Sequence, residues 1–75
     1  MEYLVYEDHQ TDNYDIFTLF EGERVQELSC CAIGIFRGQD QVQELVGSIV
    51  KTTTDKAEAQ KIRARLNTCL FVHQC

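Results

Sequence analysis

Apolar and polar residues alternate along the chain as far as Leu28, and apolar residues fall at helical spacing from Val42 onward. Glu2–Tyr6 places Tyr3 and Val5 on one face and Leu4 and Tyr6 on the other, the period of an extended strand. The run Glu7-Asp8-His9-Gln10-Thr11-Asp12-Asn13 is polar and charged, so it reads as a loop or wide hairpin connection. Tyr14–Phe20, rich in aromatic and β-branched side chains, is the strongest predicted strand. Glu21-Gly22-Glu23 predicts a tight turn with Gly22 at positive φ, and a third strand runs from Arg24 through Leu28. Ser29–Phe36 reads as a strand, with a helix as the alternative.

Beyond it, Asp40 is placed to cap a helix, with Gln43 in capping-box position. Val42, Leu45, Val46, Ile49 and Val50 then form an apolar stripe at i, i+3, i+4, i+7 and i+8. Thr52-Thr53-Thr54 ends it, because β-branched residues are poor helix formers and their hydroxyls compete for backbone groups. A second helix is predicted from Asp55, with Asp55 and Glu58 complementing its N-terminal dipole and Ala59, Ile62 and Leu66 on its apolar side. Cys69–His73 either continues that helix or forms a short closing strand. The predicted fold class is α+β: about three antiparallel strands in a meander, then two helices packed on one sheet face. One domain spans 1–75, with an acidic β-meander over 1–36 and a two-helix segment over 39–70.

Such a sheet carries apolar side chains on both faces, more than two helices cover. The surplus marks a dimer or partner interface, unless the ambiguous segments fold over it. With 75 residues the chain forms one small core, and it has little room for a catalytic cleft besides. Size therefore favours binding over catalysis, and no enzyme activity or cofactor is expected. The opening Met-Glu-Tyr-Leu-Val segment lacks the basic start and apolar run of a signal peptide. Cys30–Phe36, the longest apolar run, is too short to cross a bilayer. A cytoplasmic protein with reduced cysteines is the expectation.

Charge changes the picture most. Residues 1–29 hold eight acids against Arg24 alone, and residues 30–75 hold six bases against four acids, which makes −7 and +2 of the net −5. An acidic flank attracts basic partners and repels nucleic acid. The period-2 projection groups Asp15 with Phe17, Leu19 and Glu21, a mixture of acids and aromatics suited to a basic, partly apolar groove. Asp12, Asp15, Phe17, Leu19, Glu21, Glu23 and Glu27 are the predicted partner-binding residues. The function expected is a small acidic protein-binding module. Phage- or mobile-element-type inhibitors that occupy the basic nucleic-acid surface of a host complex, such as a CRISPR effector or a polymerase, have this style.

Other chemistry is less well supported. A structural or regulatory homodimer is the first alternative. Cys69, His73 and Cys75 with Cys30 or Cys31 could make a zinc module, the second alternative, although adjacent strand cysteines would point to opposite faces and no metal is assigned. His9 beside Asp8 offers a minimal acid–base pair. Asp12 and Asp15 lack the glycine and terminal glutamate of a calcium loop. None of Gly22, Gly34, Gly38 and Gly47 belongs to a phosphate-binding motif. Gly47 reads as a helix-interior glycine costing about 1 kcal/mol against alanine. Lys56, Lys61, Arg63 and Arg65 lack interleaved aromatics and read as a solvated helix face, so direct nucleic-acid binding is not expected.

Overall fold

The computed structural model describes residues 1–72, and the side chains of 1–68. It contains five strands, β1 (Glu2–Asp8), β2 (Asn13–Leu19), β3 (Glu23–Ser29), β4 (Ala32–Arg37) and β5 (Asp40–Thr53), and one helix, α1 (Lys56–Val72). All strand pairs are antiparallel, in the order β2-β1-β5-β4-β3. This overturns the expected meander of three strands and two helices. The α+β class stands, but the segment expected to be the first helix is the longest strand.

The physical reason lies in β5 itself. Val42, Val46, Ile49 and Val50 are β-branched, and so are the threonines that follow, which favours pleated backbone over helix. Two neighbouring hairpins also require a partner on either side. β1 pairs along the C-terminal half of β5, from Asp8↔Gly47 to Tyr3↔Thr53. β4 pairs along its N-terminal half, from Ala32↔Val46 to Arg37↔Asp40. Asp40 thus closes a hairpin rather than capping a helix. Gly38, at φ 63°, supplies the left-handed residue that the two-residue Gly38-Gln39 turn requires.

β2 and β3 are the two outer strands, yet only Phe20-Glu21-Gly22 separates them. Glu23 N–H donates to the Phe20 carbonyl (3.0 Å), with Gly22 at φ 85° completing the turn. Opposite edges of a five-stranded sheet meet over so short a link only if the sheet folds over. It does so as two three-stranded halves, β2-β1-β5 and β3-β4-β5, with β5 turning the corner between them.

The registers put Leu4, Tyr6, Phe17, Leu19 and Ile49 on the inner face of one half, and Val25, Ile33, Ile35 and Leu45 on the inner face of the other. These residues form one cluster, in which Leu4, Leu19, Ile33 and Ile35 are at most 1% exposed. The second sheet face is therefore covered by the sheet itself.

Helix α1 packs outside, against β2, β1 and β5. Asp55 caps it, accepting from the N–H groups of Ala57 (2.9 Å) and Glu58 (3.3 Å). Ala59 is fully buried, and Ile62 and Leu66 are half-buried. Asn67 then performs a strand's role. Its Nδ2 donates to the Tyr14 carbonyl (3.1 Å) and its Oδ1 accepts from the Tyr14 N–H (2.8 Å), satisfying both outward groups of an edge-strand residue.

The corner of β5 is at Gly47. Its N–H donates to the Cys31 carbonyl (2.8 Å), and beside it the His9 N–H donates to the Val46 carbonyl (3.0 Å). Both hairpins are thus tied to the corner. A Cβ on Gly47 would overlap the Glu7 carbonyl oxygen. The glycine permits close backbone approach in a strand, which corrects its reading as a helix-interior residue.

Two stability outcomes follow. Gly47→Ala should lose about 2–3 kcal/mol in urea unfolding because β1 backbone must move, whereas Gly34→Ala, which meets only the Phe36 ring and Leu28 side chain, should lose about 1 kcal/mol. Asn67→Leu should cost about 1–2 kcal/mol by leaving the Tyr14 backbone groups unpaired, and equal stability of variant and parent would refute the edge-cap role.

Candidate functional site

The polar run between β1 and β2 builds a defined turn. Asp8 Oδ1 accepts from the Gln10 N–H (2.9 Å), the Asp8 carbonyl accepts from the Asp12 N–H (2.9 Å), and Thr11 Oγ1 accepts from the Asn13 N–H (3.3 Å). An aspartate that bonds the backbone two residues ahead is the usual organiser of such a turn. Asp12 sits at φ 61°, a left-handed conformation that Asp and Asn tolerate better than most residues. Asp12 is exposed and Asp8 half-buried.

Asp15 lies on the same sheet face as Asp8, opposite Tyr6 in the register. Its carboxyl is raised above the ordinary carboxylate range, first by burial, then by hydrogen bonding to Asp8 and by the Asp8 charge, with Arg63 pulling partly the other way. The Tyr6 phenol is raised as well, first by burial and then by the charges of Asp8 and Asp15. Two carboxylates and a phenol thus crowd one another at the end of the hairpin.

A groove of ≈ 170 Å³ opens beside them, lined by Tyr6, Asp8 and Gln10 from the hairpin and by Gln43, Glu44, Leu45 and Val46 from β5. Acids line it from both sides and no base does. Glu44 belongs to this site only because 40–53 is a strand; on the expected helix it would have stood elsewhere. Asp8 was within reach of sequence reasoning, since an aspartate two residues before an exposed backbone N–H in a polar run signals an Asx turn.

The seven residues predicted to bind a partner do not share one surface. Asp12 and Asp15 lie at the β1–β2 end. Phe17 and Leu19 share a face with Asp15, as projected, but that face is the inner one: Leu19 is 1% exposed and Phe17 packs against the core. Glu21 is exposed in the β2–β3 turn, and Glu27 is exposed on β3. Glu23 is held within the fold. Its Oε1 accepts from the Phe20 N–H (2.8 Å), and its Oε2 accepts from Arg37 Nη2 (3.1 Å).

Arg24, the sole base of the first 29 residues, is also committed internally. Its guanidinium lies 4.8 Å from the Phe36 ring centroid and donates to the Gly38 carbonyl (3.0 Å) and to Gln26 Oε1 (3.2 Å). Among the described residues the ion pairs are His9–Glu7, Arg37–Glu23 and Lys51–Glu58. None of them neutralises Asp8, Asp12, Asp15, Glu21, Glu27 or Glu44.

His9 faces Glu7 and Ser48 rather than Asp8. Cys30 and Cys31, expected to point to opposite faces of a strand, instead form the two-residue turn between β3 and β4, with their sulfurs 3.4 Å apart. The other zinc-ligand candidates, the Cys69 side chain, His73 and Cys75, lie outside the described residues. Among the described residues no three His, Cys, Asp or Glu side chains converge to hold a metal. No helix among them is long and apolar enough to cross a membrane.

The crowding of Asp15 has a pH signature. Its folded-state pKa is raised, so the neutral form is favoured by folding. That stability is fully present below the unfolded carboxyl pKa and is lost as pH rises through the folded one. Asp15→Asn mimics the neutral form. It should raise the melting temperature at pH 7, and the gain should vanish in acid below the carboxylate range; a gain independent of pH would refute the assignment.

No family model matches the chain, and no curated protein or solved structure matches it, so the reading of function rests on the site's own chemistry.

Proposed function

We propose that the chain is a small, non-catalytic protein-binding module that grips a basic partner with the acidic end of the β1–β2 hairpin. The observation that carries this reading is the groove between Asp8 and Glu44, with Asp12 on the adjoining turn and Asp15 crowded against Asp8. Like charges held together and only partly offset by Arg63 destabilise the free protein. A lysine or arginine side chain from a partner would relieve that repulsion, so the binding energy is largest where the free molecule is least satisfied.

A basic surface shaped to hold phosphate presents such side chains in number. The style of partner is therefore a nucleic-acid-handling complex, such as a CRISPR effector or a polymerase, with this chain acting as a phage- or mobile-element-type inhibitor. Glu21 and Glu27 extend the negative field without belonging to the groove.

The test uses Asp8→Asn, Asp12→Asn and Glu44→Lys together. Asparagine keeps the turn at Asp8 and is tolerated at the left-handed Asp12, while lysine closes the groove to cations. Nuclease-treated lysate of the source cell or its host supplies the complexes. Wild type should capture a basic complex and compete with added nucleic acid for it, with capture weakening as salt rises. The triple variant should fold with a melting temperature no lower than that of the parent, since Asp8→Asn relieves the crowding of Asp15, and lose both effects by at least about tenfold, the equivalent of 1.4 kcal/mol. Equal capture by the variant would refute the groove. Capture of nothing by either, with a dimer in sedimentation, would shift the reading to the homodimer.

A further inference from the structure

The turn between β3 and β4 carries chemistry that the acidic groove does not use. Cys30 and Cys31 are both exposed and unoxidised, and their Sγ atoms lie 3.4 Å apart on the same side of the turn. The pairing of Ser29 with Ala32 closes the turn, and the Cys31 carbonyl is anchored to the Gly47 N–H (2.8 Å). The backbone beneath the two thiols is thus tied into the sheet. We propose that Cys30 and Cys31 form a chelating dithiol for trivalent arsenic.

Geometry selects the ion. At about 2.3 Å per bond to sulfur, a tetrahedral ion such as zinc holds two sulfurs about 3.8 Å apart, and a pyramidal ion with near-right-angled bonds holds them about 3.3 Å apart. The observed 3.4 Å fits the pyramidal ion. Zinc would also require two further ligands, and among the described residues no third His, Cys, Asp or Glu joins the pair.

Condensation with an organoarsenic(III) oxide is neutral throughout. Two S–H bonds and the arsenic–oxygen bond break, two arsenic–sulfur bonds form, and both protons leave with the oxygen as water. Arsenic remains trivalent, so no oxidant or reductant takes part. The acidic turn tied to the same β5 corner does not oppose a reaction that develops no net charge.

Phenylarsine oxide is the probe. Intact-mass analysis of Cys69→Ser/Cys75→Ser protein should show one phenylarsenic group per chain in place of two protons, resistant to excess monothiol and removed by a dithiol. Cys30→Ser and Cys31→Ser, each made in that background, should bind on the order of a hundredfold more weakly, because only the pair converts the second bond into an intramolecular one. Both turn positions are exposed, so the serine variants should keep the parent melting temperature. Unfolding the parent in urea should also weaken binding, since the adjacent thiols stay tethered but the turn no longer fixes their sulfurs 3.4 Å apart. An adduct in the Cys30→Ser variant that survives monothiol, or equal affinity in folded and unfolded parent, would overturn the proposal.

Discussion

The structure depends on one short connection. Phe20-Glu21-Gly22 joins the two strands that lie farthest apart in the sheet order. A flat five-stranded sheet would separate those strands by four inter-strand spacings of about 4.8 Å, a distance incompatible with a turn closed by a single Glu23 to Phe20 hydrogen bond. Folding the sheet resolves the conflict and creates the core at the same time. Leu4 and Leu19 from one half come to lie against Ile33 and Ile35 from the other, which is how a chain this short buries side chains completely without a second layer of helices.

The fold concentrates its requirements on β5. One strand pairs with two hairpins on opposite edges and different halves, so it must be long and must bend. Register shifts at Val5/Tyr6 and at Ile35/Phe36 flank the bend and admit the extra residues Val50 and Val42. Gly47 lies between them, where the Glu7 carbonyl leaves no space for a side chain. The helix contributes less. It covers the outer face of β1 and β2 and seals the β2 edge through Asn67, while Leu28, Val42 and Val46 stay exposed beyond its reach.

The sequence made the local elements legible and concealed the pairing. β1, β2 and β3 match the predicted strands Glu2–Tyr6, Tyr14–Phe20 and Arg24–Leu28 to within two residues, and α1 begins beside Asp55, where the second helix was expected to start. β5 misled because Val42, Leu45, Val46, Ile49 and Val50 satisfy a helical stripe, and a strand that itself carries two bulges does not keep strict period 2. The β-branched content and the Gly38-Gln39 turn were the contrary signals, and both are weaker than a five-residue stripe. The site suffered from the same error. Asp12 and Asp15 were legible as acids near a turn, but Glu44 comes to line a groove with Asp8 only through a non-local pairing that no local pattern encodes. Leu19 was grouped with Asp15 correctly by face, and only the folding of the sheet turned that face inward.

The distribution of charge follows from the same geometry. In the first 29 residues the one available base, Arg24, is drawn to Phe36 and Gly38 on the outer face, and Glu23 takes Arg37 from across the β3–β4 hairpin. These contacts hold the β3–β4 half together at the end where the Gly38 turn lies. At the opposite end, where β5 turns at Gly47, His9 pairs with Glu7, and Asp8, Asp12 and Glu44 have no counter-ion within salt-bridge distance among the described residues. Charge is thereby divided along the molecule: bases are used where the strands need fastening, and negative charge accumulates at the corner. Both hairpins project their turns there, the acidic one from β1–β2 and the dithiol from β3–β4. Substitutions in these turns change what the corner presents while leaving the inner cluster of Leu4, Leu19, Ile33 and Ile35 untouched, which makes the corner the part of this small fold most free to carry function.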